Sequence, residues 1–124
     1  MKSNLEQAKE FRQAFSVNNS QNLSSRTMQR NLIVEEFKEF LEAEGMLFRQ
    51  SLSLHEEALK ELCDLVYVCY QYAANMEWDL DEALDRVHKS NMSKLDDGGK
   101  PIYREDGKVL KSNKYKPPLL SDLV

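Results

Sequence analysis

The spacing of apolar positions divides the chain into four helical stretches and a tail of different character. Leu5, Ala8, Phe11, Ala14 and Phe15 recur at helical intervals behind Ser3 and Glu6, which have capping-box spacing. A first helix is expected over about residues 4–16. Residues 17–25 (VNNSQNLSS) are polar and turn-rich and read as a loop. A second helix is expected over about residues 26–49, with Ile33, Phe37, Phe40, Leu41, Leu47 and Phe48 on one face. A third, over about residues 54–77, opens at the capping pair Ser53 and Glu56 and carries Ala58, Leu65, Val68, Cys69 and Tyr72 as its stripe. No charge occurs from Leu65 to Tyr70, which predicts burial nearly all round. Asp79 and Glu82 start a fourth helix that runs to about Leu95. Leu80, Ala83, Leu84, Val87, His88, Asn91 and Leu95 lie on one side of it, and Asp97-Gly98-Gly99 ends it.

Beyond the fourth helix the period changes. Ile102-Tyr103-Arg104 and Lys108-Val109-Leu110 flank Glu105-Asp106-Gly107, the pattern of a small β-hairpin, and Pro117-Pro118 breaks further structure. The expected fold is all-α and four-helix-bundle-like, with a short C-terminal hairpin and irregular tail. Two domains are expected: a helical body over 1–96, and a basic hairpin and tail over 97–124.

Charge sharpens that division. Residues 94–116 hold seven Lys or Arg against four acids, whereas residues 1–93 hold ten against sixteen. An acidic helical body thus carries a basic tail, read either as a solubilising end or as a flap that closes on an anionic ligand. At 124 residues, 41% hydrophobic and net charge −4, the composition is that of one soluble globular unit with no nucleic-acid-coating role. No apolar run is long enough for a membrane span and no signal peptide is read, so a cytoplasmic location is expected. Cys63 and Cys69 sit in an apolar helix and read as buried thiols, not as a disulfide framework.

The chemistry concentrates in two acidic segments, Glu35-Glu36-Phe37-Lys38-Glu39 and Glu61-Leu62-Cys63-Asp64. Acids three residues apart lie on one helical face, one turn apart. Glu35, Glu39 and Glu42 fall opposite the second helix's apolar stripe, which alone reads as a solvated face. Glu36 lies at the stripe's edge, and Glu61 and Asp64 point along the stripe of the third helix. Acids on a buried face need a counter-charge. One reading supplies it as a salt bridge to Lys or Arg of a neighbouring helix. The other brings the two carboxylate pairs together around a hard divalent cation, Mg²⁺ with Mn²⁺ as a substitute. The matching pair on the second helix favours the cation. Di-iron bundles need Glu-x-x-His pairs, and Asp85-x-x-His88 is the nearest match. No Gly-rich phosphate loop or nucleophile triad is present. Mg²⁺-assisted phosphoryl or nucleotidyl chemistry remains. Asn91, in the middle of an apolar face, is either a satisfied core hydrogen-bonder or a ligand-binding group. His88 reads as a packed histidine.

Glu35-Glu36-x-x-Glu39, a gap of 21 residues and Glu61-x-x-Asp64 resemble the MazG-like all-α nucleoside triphosphate pyrophosphohydrolases. That superfamily also takes in phosphoribosyl-ATP pyrophosphohydrolases and dimeric dUTPases. The resemblance runs from about Leu5 to Leu95. The stretches Asn91–Pro101 and Tyr103–Lys108 look like the tail of short single-domain members. It implies a MazG-type fold and hydrolysis of a nucleoside triphosphate to monophosphate and pyrophosphate. It implies Glu36, Glu39, Glu61 and Asp64 as Mg²⁺ ligands, with Glu35 binding a further Mg²⁺ or orienting the water. Asn91 and Lys94 correspond to positions that reach sugar and phosphates; Arg104, Lys108, Lys111 and Tyr115 are phosphate-contact candidates from the tail. It also implies a homodimer or a dimer of dimers, with no nucleic-acid or membrane partner. The loop at 17–25 lacks the usual Pro, which leaves base preference open. Alternative functions are a non-catalytic nucleotide-binding or protein-interaction module, and an enzyme acting on phosphoribosyl-ATP.

Overall fold

A computed structural model describes residues 1–124. Four helices form: α1 (Asn4–Ala14), α2 (Leu23–Gly45), α3 (Leu52–Met76) and α4 (Leu80–Met92). Strands β1 (Ile102–Tyr103) and β2 (Val109–Leu110) pair antiparallel, with Ile102 opposite Leu110 and Tyr103 opposite Val109. The fold is all-α and bundle-like, with this one small hairpin near its C-terminus. The chain divides by packing into two compact units, Met1–Trp78 and Asp79–Val124.

In the first unit α1 and α2 both pack on α3, which is its central helix. The N-cap of α1 is as expected: Ser3 Oγ accepts from the Glu6 amide at 3.1 Å. Helix α2 starts earlier than the periodicity suggested, because Asn22 Oδ1 accepts from the Ser25 amide at 2.8 Å and caps it. It also stops earlier, at Gly45. The Ser53 cap is not formed. Helix α3 opens two residues sooner at Ser51, and the Ser53 hydroxyl is taken up by Ser51 Oγ at 3.0 Å.

The core of this unit is small and lies toward the end of α3. Tyr70, Ala73, Ala74 and Met76 are buried, with Leu5 and Ala8 of α1 and Ala58 of α3. Small alanines let the helices approach closely, so polar groups fill much of the remaining space. The expected all-round burial from Leu65 to Tyr70 is not observed: Val66 and Tyr67 are exposed. Cys63 is exposed too, and Cys69 half-buried, so the two thiols are not the buried pair expected. The reason is geometric. The face of α3 carrying Leu59, Leu62, Cys63, Val66 and Tyr67 is left open by the helices of its own chain. Phe37, Leu41 and Phe48 of the α2 stripe are likewise exposed.

Helices α1 and α3 end in the same way. Val17 N–H reaches Arg12 O at 2.8 Å and Trp78 N–H reaches Ala73 O at 2.9 Å, each over a left-handed residue, Ser16 (φ 55°) and Glu77 (φ 61°). These are Schellman-type ends without the usual glycine.

In the second unit Asp79 Oδ1 caps α4 by accepting from the Glu82 amide at 3.1 Å, as its spacing predicted. Helix α4 ends at Met92, short of Leu95. His88 and Asn91 are exposed, so neither sits in a core; the face they share is covered only at its half-buried members, among them Ala83 and Val87. The hairpin turns at Gly107 (φ 88°), whose N–H donates to Arg104 O at 2.8 Å. Structure does not stop at the prolines. A 3₁₀ turn at Ser121–Leu123 follows, held because Arg86 donates to Leu119 O at 2.8 Å and forks onto Asp122 at 2.6 and 3.0 Å.

Candidate metal centre

Helices α2 and α3 follow one another across a short connection and pack along their length, which makes them antiparallel. Glu36 and Glu39 stand one turn apart on α2, and Glu61 stands on the facing stretch of α3. Carboxylate oxygens of all three lie within 4.8 Å of one another. Glu61 is buried at 7% exposure, Glu36 is half-buried and Glu39 is the most exposed of the three, so the group grades from the helix interface toward solvent. Asp64, half-buried one turn beyond Glu61, is outside this three-acid group, yet its charge is felt by Glu36. Glu35 is exposed and is also outside the group.

Electrostatics explains why this arrangement needs a partner. The Glu36 carboxyl is raised from its ordinary 4.5 to about 6. Burial is the largest cause, followed by the hydrogen bond it shares with Glu39 and then by the charges of Glu39, Asp64 and Glu61. Glu36 Oε2 and Glu61 Oε2 are buried and accept no hydrogen bond. Buried carboxylate oxygens without a partner are costly, and like charges this close add to the cost. Oxygen-only donors this close together suit a hard divalent cation.

One cation of the chain itself reaches the group. Lys60 Nζ lies 2.9 Å from Asp64 Oδ2 and 3.3 Å from Glu61 Oε1. Its pKa is raised, first by the hydrogen bond to Asp64 and then by that to Glu61. Of the two sequence readings, the salt bridge is the one the structure contains. A salt bridge forms, from α3 itself and not from a neighbouring helix, and it leaves Oε2 of Glu61 and of Glu36 unsatisfied. The i,i+4 spacing of Lys60 and Asp64 was the signal that could have found it.

A second polar cluster occupies the other end of α3, and no sequence motif announced it. Asn75 has no exposed surface. Its Oδ1 accepts from Arg12 Nη2 at 2.9 Å, Ser25 Oγ at 2.9 Å and the Ser20 amide at 3.1 Å, and its Nδ2 donates to Ser20 O at 2.8 Å. Arg12, 4% exposed, also donates to Asn19 Oδ1, Gln71 Oε1 and Asn18 O at 2.6, 3.2 and 3.2 Å. Burial lowers the Arg12 pKa. The signal available was that Arg12 follows Leu5 and Ala8 at helical intervals, inside the apolar stripe. Between the two clusters Gln29 of α2 is 4% exposed with an unpartnered Oε1.

The remaining expected site residues belong to the second unit. Asn91 is exposed and Lys94 half-buried. Arg104 is ion-paired with Asp106, and Lys108 is exposed. Lys111 Nζ lies 4.7 Å from the centre of the Tyr115 ring, a cation–π contact that holds both side chains.

The family model of phosphoribosyl-ATP pyrophosphohydrolase matches residues 4–91. No curated protein matches the chain. The matched stretch spans α1 through nearly all of α4, well over half of the chain. The chain belongs to the phosphoribosyl-ATP pyrophosphohydrolase family, within the MazG-like all-α pyrophosphohydrolase superfamily, and is a hydrolase acting on acid anhydrides.

Proposed function

We propose that this pyrophosphohydrolase cleaves a nucleoside triphosphate between its α and β phosphates, giving the monophosphate and pyrophosphate with Mg²⁺ as cofactor. Its role in this reading is housekeeping of the nucleotide pool. The carrying observation is the group Glu36, Glu39 and Glu61, with carboxylate oxygens within 4.8 Å of one another and two buried oxygens lacking a partner. These donors fit the cation, and Mn²⁺ fits the same set. Glu36, Glu39, Glu61 and Asp64 are its proposed ligands. When bound, Mg²⁺ neutralises phosphate charge and lowers the pKa of coordinated water.

The side chains divide the remaining work. Glu61, buried at the helix interface, fixes its carboxylate in one place; Glu39, exposed, reaches the solvent side where an anionic substrate arrives. Glu35, on the same turn of α2, is the proposed water-orienting acid or ligand of a further Mg²⁺. The attacking water loses its proton to a carboxylate as the phosphorus–oxygen bond to pyrophosphate breaks. Asn91, Lys94, Arg104, Lys108, Lys111 and Tyr115 are proposed to contact sugar and phosphates.

Self-association is part of the same reading. Leu59, Leu62, Val66 and Tyr67 repeat at helical spacing along α3 and are each at least two-fifths exposed, and Phe11 and Phe15 of α1 are exposed as well. An apolar stripe of this length fits a second copy of the chain better than water. Homodimers or dimers of dimers are proposed, and a sedimentation run giving a 14.4 kDa monomer at micromolar concentration contradicts that. No helix is long and apolar enough to cross a membrane. A cytoplasmic location is proposed.

A second substrate reading, phosphoribosyl-ATP, is favoured by the family match. One experiment separates the two. Each ribo- and deoxyribonucleoside triphosphate, and phosphoribosyl-ATP, is incubated with the protein in Mg²⁺ or EDTA, and pyrophosphate is separated from orthophosphate. Mg²⁺-dependent pyrophosphate from a nucleoside triphosphate supports the first reading. Turnover of phosphoribosyl-ATP alone supports the second. Full release by folded Glu39→Ala and Asp64→Ala variants refutes the site.

A further inference from the structure

Lys60 has no part in the reaction as proposed above, yet it is the cation that touches the site. It precedes Glu61 and stands one turn before Asp64. Its ammonium spans the two acids, at 3.3 Å from Glu61 Oε1 and 2.9 Å from Asp64 Oδ2. The other Glu61 oxygen is the buried one that has no partner. Lys60 thus partners one oxygen of Glu61 and leaves the other without a partner. The side chain is 62% exposed, so its head can leave the acids for water without disturbing the core.

An oxygen that holds an ammonium competes with any ion it is asked to ligate. A displaced ammonium also stays near, because a four-carbon stem limits how far it travels. Resting on the metal-site reading, we propose that Lys60 is the resident counter-cation of this site. It holds Glu61 and Asp64 in the metal-free chain, yields them to a divalent cation, and then pairs with a phosphate oxygen of the anionic substrate. Two effects of opposite sign follow. Lys60 weakens the binding of a bare cation, and it strengthens the binding of a phosphate chain that comes with the cation.

The test uses the full-length chain, Lys60→Met, which keeps the stem, and Lys60→Arg, which keeps the charge. Calorimetry first titrates Mn²⁺ or Mg²⁺ into metal-free protein, then titrates inorganic pyrophosphate in saturating Mg²⁺. Exposed ion pairs are individually weak, so roughly two- to five-fold changes are expected. Lys60→Met binds the cation that much more tightly and pyrophosphate that much more weakly, while Lys60→Arg stays near wild type in both. Melting curves in Mg²⁺ establish that the variants are folded. Equal cation affinity in wild type and Lys60→Met overturns the counter-cation role, and equal pyrophosphate affinity overturns the phosphate role. If neither chain binds a cation, the metal-site reading itself falls, which is a separate outcome.

Discussion

Helix α3 buries polar groups in both of its halves, and the two are finished differently. At the C-terminal end Asn75 is fully enclosed, and four hydrogen bonds tie its amide to Arg12, Ser20 and Ser25. In the N-terminal half Glu61 is almost as deeply buried, yet one of its oxygens has no partner, and two further carboxylates lie within 4.8 Å of its own. Burial alone does not separate structure from function here; satisfaction does. A closed network rigidifies the fold, whereas an open one of like charge stores a cost that a ligand can relieve. The Asn75 end fixes the 17–22 loop and the start of α2. The Glu61 end is where chemistry is proposed.

The largest expected effect breaks the closed end. Asn75→Ala takes one of four partners from Arg12, leaves the Ser20 amide and carbonyl without theirs, and destabilises the protein by about 2–4 kcal/mol in urea melts. The cation response of the protein that remains folded is unchanged. Next comes the open end. Glu61→Gln removes one of the crowded charges, so metal-free stability holds or rises, while pyrophosphate release falls by roughly a hundred-fold or more. The two variants should therefore cross: one loses the fold and keeps the cation response, the other keeps the fold and loses activity.

A pH series sharpens the contrast further. The Glu36 carboxyl stands at about 6 in the fold against an ordinary 4.5. The folded state therefore binds a proton more tightly than the unfolded chain, and the metal-free protein gains stability as pH falls from about 6 toward 4.5. Protons and Mg²⁺ compete for the same oxygens, so the Mg²⁺-dependent rise in melting temperature shrinks over that same window. The Asn75 end contains no carboxylate, and a variant there shifts the curve without changing its shape. The smallest effect is at the end of α3. Glu77→Gly places glycine where the backbone is left-handed (φ 61°) and is expected to stabilise by roughly 0.5–1 kcal/mol in the same melts.

Local signals were readable where both partners lie within one turn. The Ser3 and Asp79 caps, the hairpin and the two carboxylate pairs all follow from spacings of three or four residues or from a turn. What spacing does not carry is whether a face meets another helix. The apolar positions of α3 were visible, but the exposure of Cys63, Val66 and Tyr67 depends on where α1 and α2 lie. Nor does spacing reveal a network such as Arg12–Asn75, whose partners are 63 residues apart. The Ser53 cap failed for a local reason, since Ser51 stood two residues upstream and the helix could start there.

Glu36, Glu39, Glu61 and Asp64 are proposed above as a divalent-cation site. The most direct measurement is the melting temperature at pH 7.5 in EDTA and in millimolar Mg²⁺, for wild type beside Glu61→Gln. Mg²⁺ is expected to raise the wild-type midpoint and to leave that of Glu61→Gln nearly unmoved. A wild-type midpoint indifferent to Mg²⁺ and EDTA, or an equal rise in both proteins, contradicts it.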